Sequence, residues 1–322
     1  MRNDSPIAVT SRSFSKHPVL RAELSERYSD VRFNDEGVSL SGDALIEFAR
    51  GREKLIVALE TVDHRLLDAL PELKVISKYG VGTDSLDKVA LIEHGIRLGW
   101  KGGVNRRSVA ELAVTFMISL LRHVPKIAQE IRDGTWKNRK GRQLGSCTVG
   151  IIGCGHIGKD LTTLLRAFGS EVIANDILDF PDFYDAHQVE AVDLEDLLRR
   201  ADIVTLHVPL DDTTRDMLSH DRLALMRQGG LLINTARGGL VDEVALLQML
   251  KTGHIAGAAF DVFAIEPPED PELLRHPNFL ATSHIGGSSE EAILAMGRAA
   301  IEGLEVNAVP TDVYPPTGQV LR

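Results

Sequence analysis

The sequence predicts an α/β protein with two Rossmann-like domains, each built around a parallel sheet. Short apolar runs alternate with helical patterns along most of the chain, which is typical of successive βα units. Most of these runs are apolar at nearly every position, as expected for parallel strands covered on both faces. The chain has 322 residues, of which 43% are hydrophobic, so each domain can have its own core.

The first hundred residues contain one set of alternating elements. Residues 62–70 have a helical pattern with Leu66, Leu67 and Leu70 on one face. The predicted strands on either side of this helix are 6–10, 54–59 and 73–78.

A second set of alternating elements follows residue 147. After it, residues 290 to about 306 predict a helix, and the proline-rich segment 309–316 is expected to be extended. The strands predicted in this second set are 148–152, 171–175, 202–208, 230–234, 256–261 and 279–283.

A long apolar helix is predicted from Val109 to about Arg122. Ser108 and Glu111 have the spacing of a capping box, in which each side chain pairs with an amide of the first turn. Beyond this cap the helix has almost no polar face, and such helices are buried on all sides. We therefore expect it to lie between domains and in a subunit interface.

The composition excludes several classes of function. The formal net charge is -10 and the pI is near 5.6, which argues against binding to a phosphate backbone. No apolar run reaches the roughly 20 residues that span a bilayer. The first residues lack a signal-peptide apolar core, so we expect a cytoplasmic protein. The two cysteines, Cys147 and Cys154, form no C-x-x-C pair, so we expect neither a disulfide framework nor a metal site.

A G-x-G-x-x-G match lies between a predicted strand and a predicted helix. Gly153 permits a tight turn, Gly155 lets the backbone approach a pyrophosphate, and Gly158 allows close helix–strand packing. Alone the motif is weak, because the chain has 28 glycines. Its strand–loop–helix context makes dinucleotide binding the better interpretation.

Asp176 follows the next predicted strand. A carboxylate at this position can bind both ribose hydroxyls and would repel a 2′-phosphate, which favours NAD over NADP. The alternative is an ordinary turn residue at a strand end.

Three later segments, at 234–239, 260–267 and 282–287, follow predicted strands at the edge where open α/β sheets bind ligands. Together with the glycine loop, and with the segments Lys78 to Asp84 and Asn105 to Glu111, they resemble the D-2-hydroxyacid dehydrogenase family over nearly the whole chain. Within the family, the resemblance is to members similar to 3-phosphoglycerate dehydrogenase. Because no residues follow Arg322, we expect no C-terminal regulatory domain.

The resemblance implies a catalytic trio of Arg237, Glu266 and His284. Histidine is suited to remove the hydroxyl proton as the hydride leaves. We expect Glu266 to be a buried carboxylate that orients the imidazole and stabilises its protonated form. The guanidinium of Arg237 suits a substrate carboxylate and carbonyl oxygen.

The resemblance also implies the contacts to cofactor and substrate. Thr214 could instead be an ordinary turn residue with no cofactor contact. Lys78 could instead be a solvated lysine at the end of a strand. The predicted NAD contacts are Gly153, Gly155, His156, Ile157, Gly158, Asp176, Val208, Pro209, Thr214, Thr235, Ala236, Arg237, Asp261, His284 and Gly286. The predicted substrate contacts are Lys78, Val81, Gly82, Asn105, Arg237 and His284, with the amides of Val81 and Gly82 binding the carboxylate.

The region between the two sets of elements departs from the family pattern at Trp100 and Lys101. Trp100 is either a cleft residue or ordinary packing. Lys78, Lys101 and Arg106 are the candidates for binding a second anionic group of the substrate.

We expect a substrate-binding domain of residues 1–104 and 289–322, with an inserted NAD-binding domain of residues 105–288. The predicted function is NAD-dependent oxidation of a small D-2-hydroxy acid, for which 3-phosphoglycerate is one candidate, or reduction of the 2-keto acid. The alternatives are a glyoxylate or hydroxypyruvate reductase and an NAD-sensing protein similar to transcriptional corepressors. A homodimer formed through the NAD-binding domain is expected by resemblance.

Overall fold

A computed structural model of the chain describes residues 3–310 and the backbone of 319–320. These residues form two compact units. The first contains residues 3–105 and 289–310, and the second contains Arg106–Ser288 and the strand Gln319–Val320. The expected extended segment at 309–316 lies, from residue 311 onward, outside the described residues.

The first unit is a parallel five-stranded sheet of order β2-β1-β3-β4-β5. Its strands are β1 (Ile7–Val9), β2 (Val31–Phe33), β3 (Lys54–Val57), β4 (Val75–Lys78) and β5 (Arg97–Gly99). Its helices are α1 (Arg12–Lys16), α2 (Pro18–Arg27), α3 (Gly42–Ala49), α4 (His64–Asp68), α5 (Lys88–Glu93) and α14 (Glu290–Gly303).

Apolar side chains cover both faces of this first sheet. Ile7, Val9 and Ile56 point into a core completed by helix α14, whereas Ala8 and Leu55 point into the opposite core. Because successive side chains of a strand alternate between faces, a run that is apolar throughout must be buried on both sides. This explains why the predicted strands of this unit read as continuous apolar runs.

The second unit contains a parallel seven-stranded sheet of order β13-β12-β11-β10-β6-β7-β9. Its strands are β6 (Thr148–Ile152), β7 (Glu171–Asn175), β9 (Val189–Ala191), β10 (Ile203–Leu206), β11 (Gly230–Asn234), β12 (Ile255–Phe260) and β13 (Phe279–Ala281). A separate antiparallel pair joins β8 (Leu178–Asp179) to β14 (Gln319–Val320). Its helices are α6 (Arg106–Leu121), α7 (Val124–Arg132), α8 (His156–Phe168), α9 (Pro181–His187), α10 (Leu194–Arg200), α11 (His220–Leu225), α12 (Glu243–Thr252) and α13 (Pro271–Arg275).

The predicted fold class, with two parallel-sheet units and one inserted into the other, is confirmed. Two boundaries differ from the expectation. Asn105 groups with the first unit, and Gln319–Val320 groups with the second because it pairs with β8 there. A sequence pattern could not locate this pairing, since a two-residue strand has no periodicity.

The long apolar helix is α6, and its apolar surface is explained by burial within the second unit. Ala113, Phe116 and Met117 lie in the core between this helix, α8 and the sheet. In the described part of the chain no single helix is long and apolar enough to cross a membrane. Helices α6 and α7 reach the length and apolar composition of a membrane span only when they are taken together, and they are bent by 61° at their junction.

Candidate active site

The glycine loop follows β6 and leads into α8. Gly153 has φ +95°, and a Cβ there would lie 2.7 Å from the carbonyl carbon of His207. A side chain at Gly158 would contact the carbonyl oxygen of Gly153. The loop therefore turns tightly because these positions have no side chains.

The N-terminus of α8 fits a pyrophosphate. Gly155 is its N-cap and provides no side-chain hydrogen bond to the first turn. An added Cβ at Gly155 would meet nothing within 4 Å, so the backbone is open on this side. The backbone N–H groups of the first helical turn, including those of His156 and Ile157, can therefore donate to a phosphate. The helix dipole also favours negative charge at this end.

Asp176 lies directly after β7 and is braced against the glycine loop. One carboxylate oxygen accepts the backbone N–H of Cys154 at 2.6 Å, and the other accepts that of Leu178 at 2.9 Å. Each oxygen has further acceptor capacity, so the carboxylate can also accept ribose hydroxyls. The Cys154 thiol next to it is buried, and burial together with the charge of Asp176 raises its pKa to about 12.

His284 and Glu266 are brought together by the loops that follow β13 and β12. The Nδ1 atom of His284 lies 2.9 Å from Oε2 of Glu266. The second carboxylate oxygen, Oε1, accepts the N–H of Phe263 at 3.1 Å, which orients the carboxylate. With Nδ1 donating to Glu266, Nε2 of His284 is the ring nitrogen that can exchange a proton with a substrate.

The expectation that Glu266 is buried is wrong for the unit that contains it. Its side chain is 39% exposed and that of His284 is 46% exposed. Glu266 lies in the loop beyond the end of β12, outside the sheet, and its carboxylate is therefore left exposed. The pair is therefore accessible to a ligand.

Asp261 holds the turn that presents His284. It is 1% exposed, and its carboxylate accepts hydrogen bonds from the Thr282 hydroxyl at 2.5 Å, the Ile285 N–H at 2.8 Å and the Gly286 N–H at 2.7 Å. Its carbonyl oxygen also accepts the N–H of His284 at 2.9 Å. The predicted contact of Asp261 with the nicotinamide stays a prediction, but these bonds make Asp261 a positioning residue for His284.

Ser108 does not form the predicted capping box. Helix α6 begins at Arg106, so Ser108 already lies inside its first turn. Its hydroxyl donates to the carbonyl oxygen of Gly286 at 2.6 Å, which ties the helix to the loop of His284. The hydroxyl therefore serves a long-range bond rather than a cap.

Arg237 lies on the turn after β11, the strand next to β12. The buried side chain of Asn234 closes this turn, because its amide donates to the carbonyl of Arg237 at 2.8 Å and its oxygen accepts the N–H of Ala236 at 3.1 Å. The guanidinium donates to the carbonyl of Ala236 at 2.6 Å. The hydroxyl of Thr235, a predicted cofactor contact, is buried without a protein partner.

A second carboxylate supports the loop of Glu266. Oε1 of Glu243, in the first turn of α12, accepts the N–H of Ala264 at 3.0 Å. Burial raises the pKa of Glu243. Glu243 was not predicted from the sequence, because its only signal was a pair of acidic residues at a helix start, which is typical of ordinary capping.

The turn after β10 contains the predicted contacts Val208, Pro209 and Thr214. The Thr214 hydroxyl donates to the carbonyl of Pro209 and accepts the N–H of Asp211, both at 2.8 Å. These bonds show a structural role in closing the turn. The cofactor contact of Thr214 stays a prediction.

In the first unit, the predicted substrate residues lie at the end of β4 and in the segments that follow β4 and β5. Lys78 is 4% exposed and its ammonium donates to the carbonyl of Ala58, so the alternative of a solvated lysine is wrong. The indole of Trp100 donates to the carbonyl of Val81 at 2.9 Å and packs on the core of this unit. Gly82 follows in the same loop, and the side-chain oxygen of Asn105 is buried without a partner.

Comparison with known proteins identifies the family. Residues 114–286 match the D-isomer specific 2-hydroxyacid dehydrogenase, NAD binding domain. The chain is 37% identical to a D-3-phosphoglycerate dehydrogenase of Methanocaldococcus jannaschii, over 83% of this chain and 52% of that protein. It is 36% identical to a hydroxypyruvate reductase of Thermotoga maritima, over 82% of this chain and 87% of that protein. The chain thus spans about half the length of the D-3-phosphoglycerate dehydrogenase.

A solved structure agrees with these matches. A glyoxylate reductase from Paecilomyes thermophila superposes with a TM-score of 0.84 and 26% identity, over 94% of this chain and 96% of that one. Among the described residues, no group of three His, Cys, Asp or Glu side chains could hold a metal ion. The geometry around His284, the glycine loop and the family match lead to one conclusion. The chain belongs to the D-isomer-specific 2-hydroxyacid dehydrogenase family, and its second unit contains the family's NAD-binding domain.

Proposed function

We propose that this protein transfers a hydride between the nicotinamide of NAD and a small D-2-hydroxy acid or the corresponding 2-keto acid. The observation that supports this most directly is the pair of His284 and Glu266, 2.9 Å apart on two accessible loops of the NAD-binding domain. Proton transfer coupled to hydride transfer requires an oriented base within reach of the substrate, and this pair supplies one.

Each member of the trio has a defined task in this reaction. In the oxidative direction, Nε2 of His284 accepts the hydroxyl proton, and Glu266 stabilises the resulting imidazolium. Arg237 binds the carboxylate and polarises the oxygen on the reacting carbon. In the reductive direction, His284 returns the proton to that oxygen. NAD supplies the hydride acceptor when it is bound, held by the amides at the start of α8 and by Asp176.

Hydroxypyruvate or glyoxylate reduction is a second candidate for the physiological reaction. Its support is the hydroxypyruvate reductase of Thermotoga maritima, since the match covers 87% of that protein. An NAD sensor remains the alternative from a different class. Measuring which acids the protein turns over distinguishes these two candidates from the main proposal.

The deciding experiment is a spectrophotometric screen of purified protein against D-2-hydroxy acids with NAD and 2-keto acids with NADH. Turnover of at least one D-acid, with no turnover of its L-isomer, supports the proposal. Tight NAD binding without turnover of any acid would favour the sensor. The rank order of 3-phosphoglycerate, glycerate and glyoxylate separates the two enzyme candidates.

A homodimer in the cytoplasm completes the proposal. Helix α7 and the segment after it expose large apolar side chains, with Val124 and Ile131 each 50% exposed and Trp136 89% exposed. Exposed apolar patches of this kind are typical of protein interfaces. Light scattering on the intact chain measures the oligomeric state, and a monomer at micromolar concentration would contradict the dimer.

A further inference from the structure

The first unit has a cavity of about 520 Å³ that the predicted site residues leave unexplained. It opens at the carboxyl edge of the five-stranded sheet. Its walls come from the segments that follow β1, β2 and β3. The polar and basic residues in these walls are Ser11, Arg12, Ser13, Lys16 and Ser39, with Ala58 at the end of β3.

The position of this cavity is where an open α/β sheet binds ligands. In the order β2-β1-β3-β4-β5, the chain passes from β1 outward to β2 and then returns to the other side of β1 as β3. Connections that leave neighbouring strands in opposite directions open a crevice at their carboxyl ends. The cavity therefore occupies the topological switch point of this unit.

The charges at the cavity suit an anion. Arg12 and Lys16 are exposed and lie one helical turn apart on α1, so their side chains share a face. Within residues 3–310, neither side chain makes a hydrogen bond or an ion pair. The carboxylate of Glu60 also lines the cavity, but it accepts the N–H of Ala58 at 2.6 Å in its own turn.

Hydroxyl groups add neutral donors beside these two cations. The Ser11 hydroxyl accepts the N–H of Phe14 at 3.3 Å and lies 3.3 Å from the Ser13 hydroxyl. When Ser13 is the donor in this pair, the proton of the Ser11 hydroxyl is left for another acceptor. A guanidinium fork, an ammonium group and hydroxyls together match the three terminal oxygens of a phosphate monoester better than the two oxygens of a carboxylate.

The cavity lies on the same sheet edge as the predicted carboxylate site at Val81 and Gly82, which follows β4. The ammonium of Lys78 links the two places by donating to the carbonyl of Ala58. Neighbouring strands are about 4.8 Å apart, so a crevice between β1 and β3 is about 7 Å from the end of β4. This distance is comparable with the length of a short acid that has a phosphate at its far end.

We propose that this cavity binds the phosphate monoester of a phosphorylated 2-hydroxy or 2-keto acid, with Arg12 and Lys16 as its charged ligands. This inference rests on the function proposed above and names the substrate class. It replaces Lys78 and Lys101 as the residues predicted to bind a second anionic group of the substrate. Lys78 is buried against Ala58, and Lys101 lies 3.3 Å from a carboxylate oxygen of Glu302.

The test compares 3-phosphohydroxypyruvate with hydroxypyruvate in NADH-dependent reduction by the full chain. We expect the wild type to prefer the phosphorylated acid by at least tenfold in kcat/KM. Arg12→Ala and Lys16→Ala should each lower kcat/KM for this acid by about 10- to 100-fold, the usual effect of removing a charge-assisted hydrogen bond. The value for hydroxypyruvate should change less than threefold. Arg27→Ala removes an exposed cation of α2 outside the cavity and should change neither value.

Three outcomes would overturn the inference: equal use of the two acids by the wild type, preference for a 2-keto dicarboxylic acid, or equal losses on both acids in the variants. Failure of the proposed function is distinguishable, because it would show as no turnover of any acid. In that case ³¹P NMR titration of inorganic phosphate decides the inference. Binding that is lost in Arg12→Ala and Lys16→Ala but kept in Arg27→Ala supports the cavity, and binding unchanged in all variants, or absent from the wild type, overturns it.

Discussion

The carboxyl edges of the two sheets are built in different ways. In the second unit, a buried carboxylate holds the turn after β13 with three hydrogen bonds, and His284 meets Glu266 at 2.9 Å. In the first unit, the loops after β1 and β3 surround an open cavity with exposed basic side chains. Proton transfer requires atoms in fixed positions, whereas recognition of a distant charge tolerates flexible side chains. The two edges therefore differ in how strictly their residues must be placed.

Replacing His284, the proposed base on the second unit, should have the largest effect. We expect His284→Gln to retain NAD binding while hydride transfer falls by about two to four orders of magnitude, the range typical of a lost general base. Steady-state rates and NAD titration by fluorescence measure the two quantities. His220→Gln, at an exposed histidine of α11, is the matched control. Near-normal turnover in His284→Gln would remove this residue from its assigned role.

Weakening the hydrogen bonds of Asp261 tests whether a fixed position of the His284 loop matters for catalysis. In Asp261→Asn, the side-chain NH2 group replaces one of the two oxygens that accept the N–H groups of Ile285 and Gly286. At least one buried hydrogen bond is then lost, at a cost of about 1–3 kcal/mol. We expect kcat to fall about 10- to 100-fold with little change in the Kd of NAD. If the Kd of NAD rises as much as kcat falls, the predicted nicotinamide contact is the main role of Asp261.

The cofactor side of the second unit should show a smaller effect. Asp176→Asn removes the charge that is predicted to repel a 2′-phosphate, and its single amide oxygen keeps one of the two bonds from the N–H groups of Cys154 and Leu178. We expect the preference for NAD over NADP to fall about tenfold, which corresponds to about 1.4 kcal/mol. The measurement is kcat/KM for both cofactors, with the exposed Asp182→Asn as the control. An unchanged preference would show that another residue sets it.

The last prediction concerns stability rather than activity at the carboxyl edge of the second unit. His207 follows β10 and borders the glycine loop, and burial lowers its pKa to about 3. Because the unfolded chain takes up this proton near pH 6.5, the free energy of unfolding should fall by up to about 1.4 kcal/mol per pH unit between pH 6.5 and 3. Urea unfolding at pH 7, 6 and 5 measures the slope. His207→Gln should reduce it, and identical slopes would contradict the assignment.

The sequence predicted the central strands well and the short ones poorly. The predictions for 148–152, 171–175 and 230–234 match β6, β7 and β11 to the residue, since buried parallel strands are apolar throughout. The strands β2, β5 and β9 were missed because each has only three residues, one of them charged, and so shows no continuous apolar run.

The errors at the site have a common physical cause. Ser108 was predicted to cap a helix, but its partner is Gly286, 178 residues away along the chain. Glu266 was predicted to be buried, yet it is accessible in its own unit. Hydrogen-bond partners and exposure both depend on which loops meet in space, and spacing along the chain does not determine this.

By itself, the sequence determined the fold class and the family and predicted the residues for NAD binding and proton transfer, because glycine loops and catalytic side chains are local patterns at strand ends. The tertiary structure decided which groups support them. It placed Asp261 under the loop of His284 and gathered Arg12, Lys16 and Ser39 around one cavity. Asp261 and His284 lie on different loops, and helix α1 and Ser39 belong to different segments of the chain, so only the packing of the sheets and helices brings these groups together.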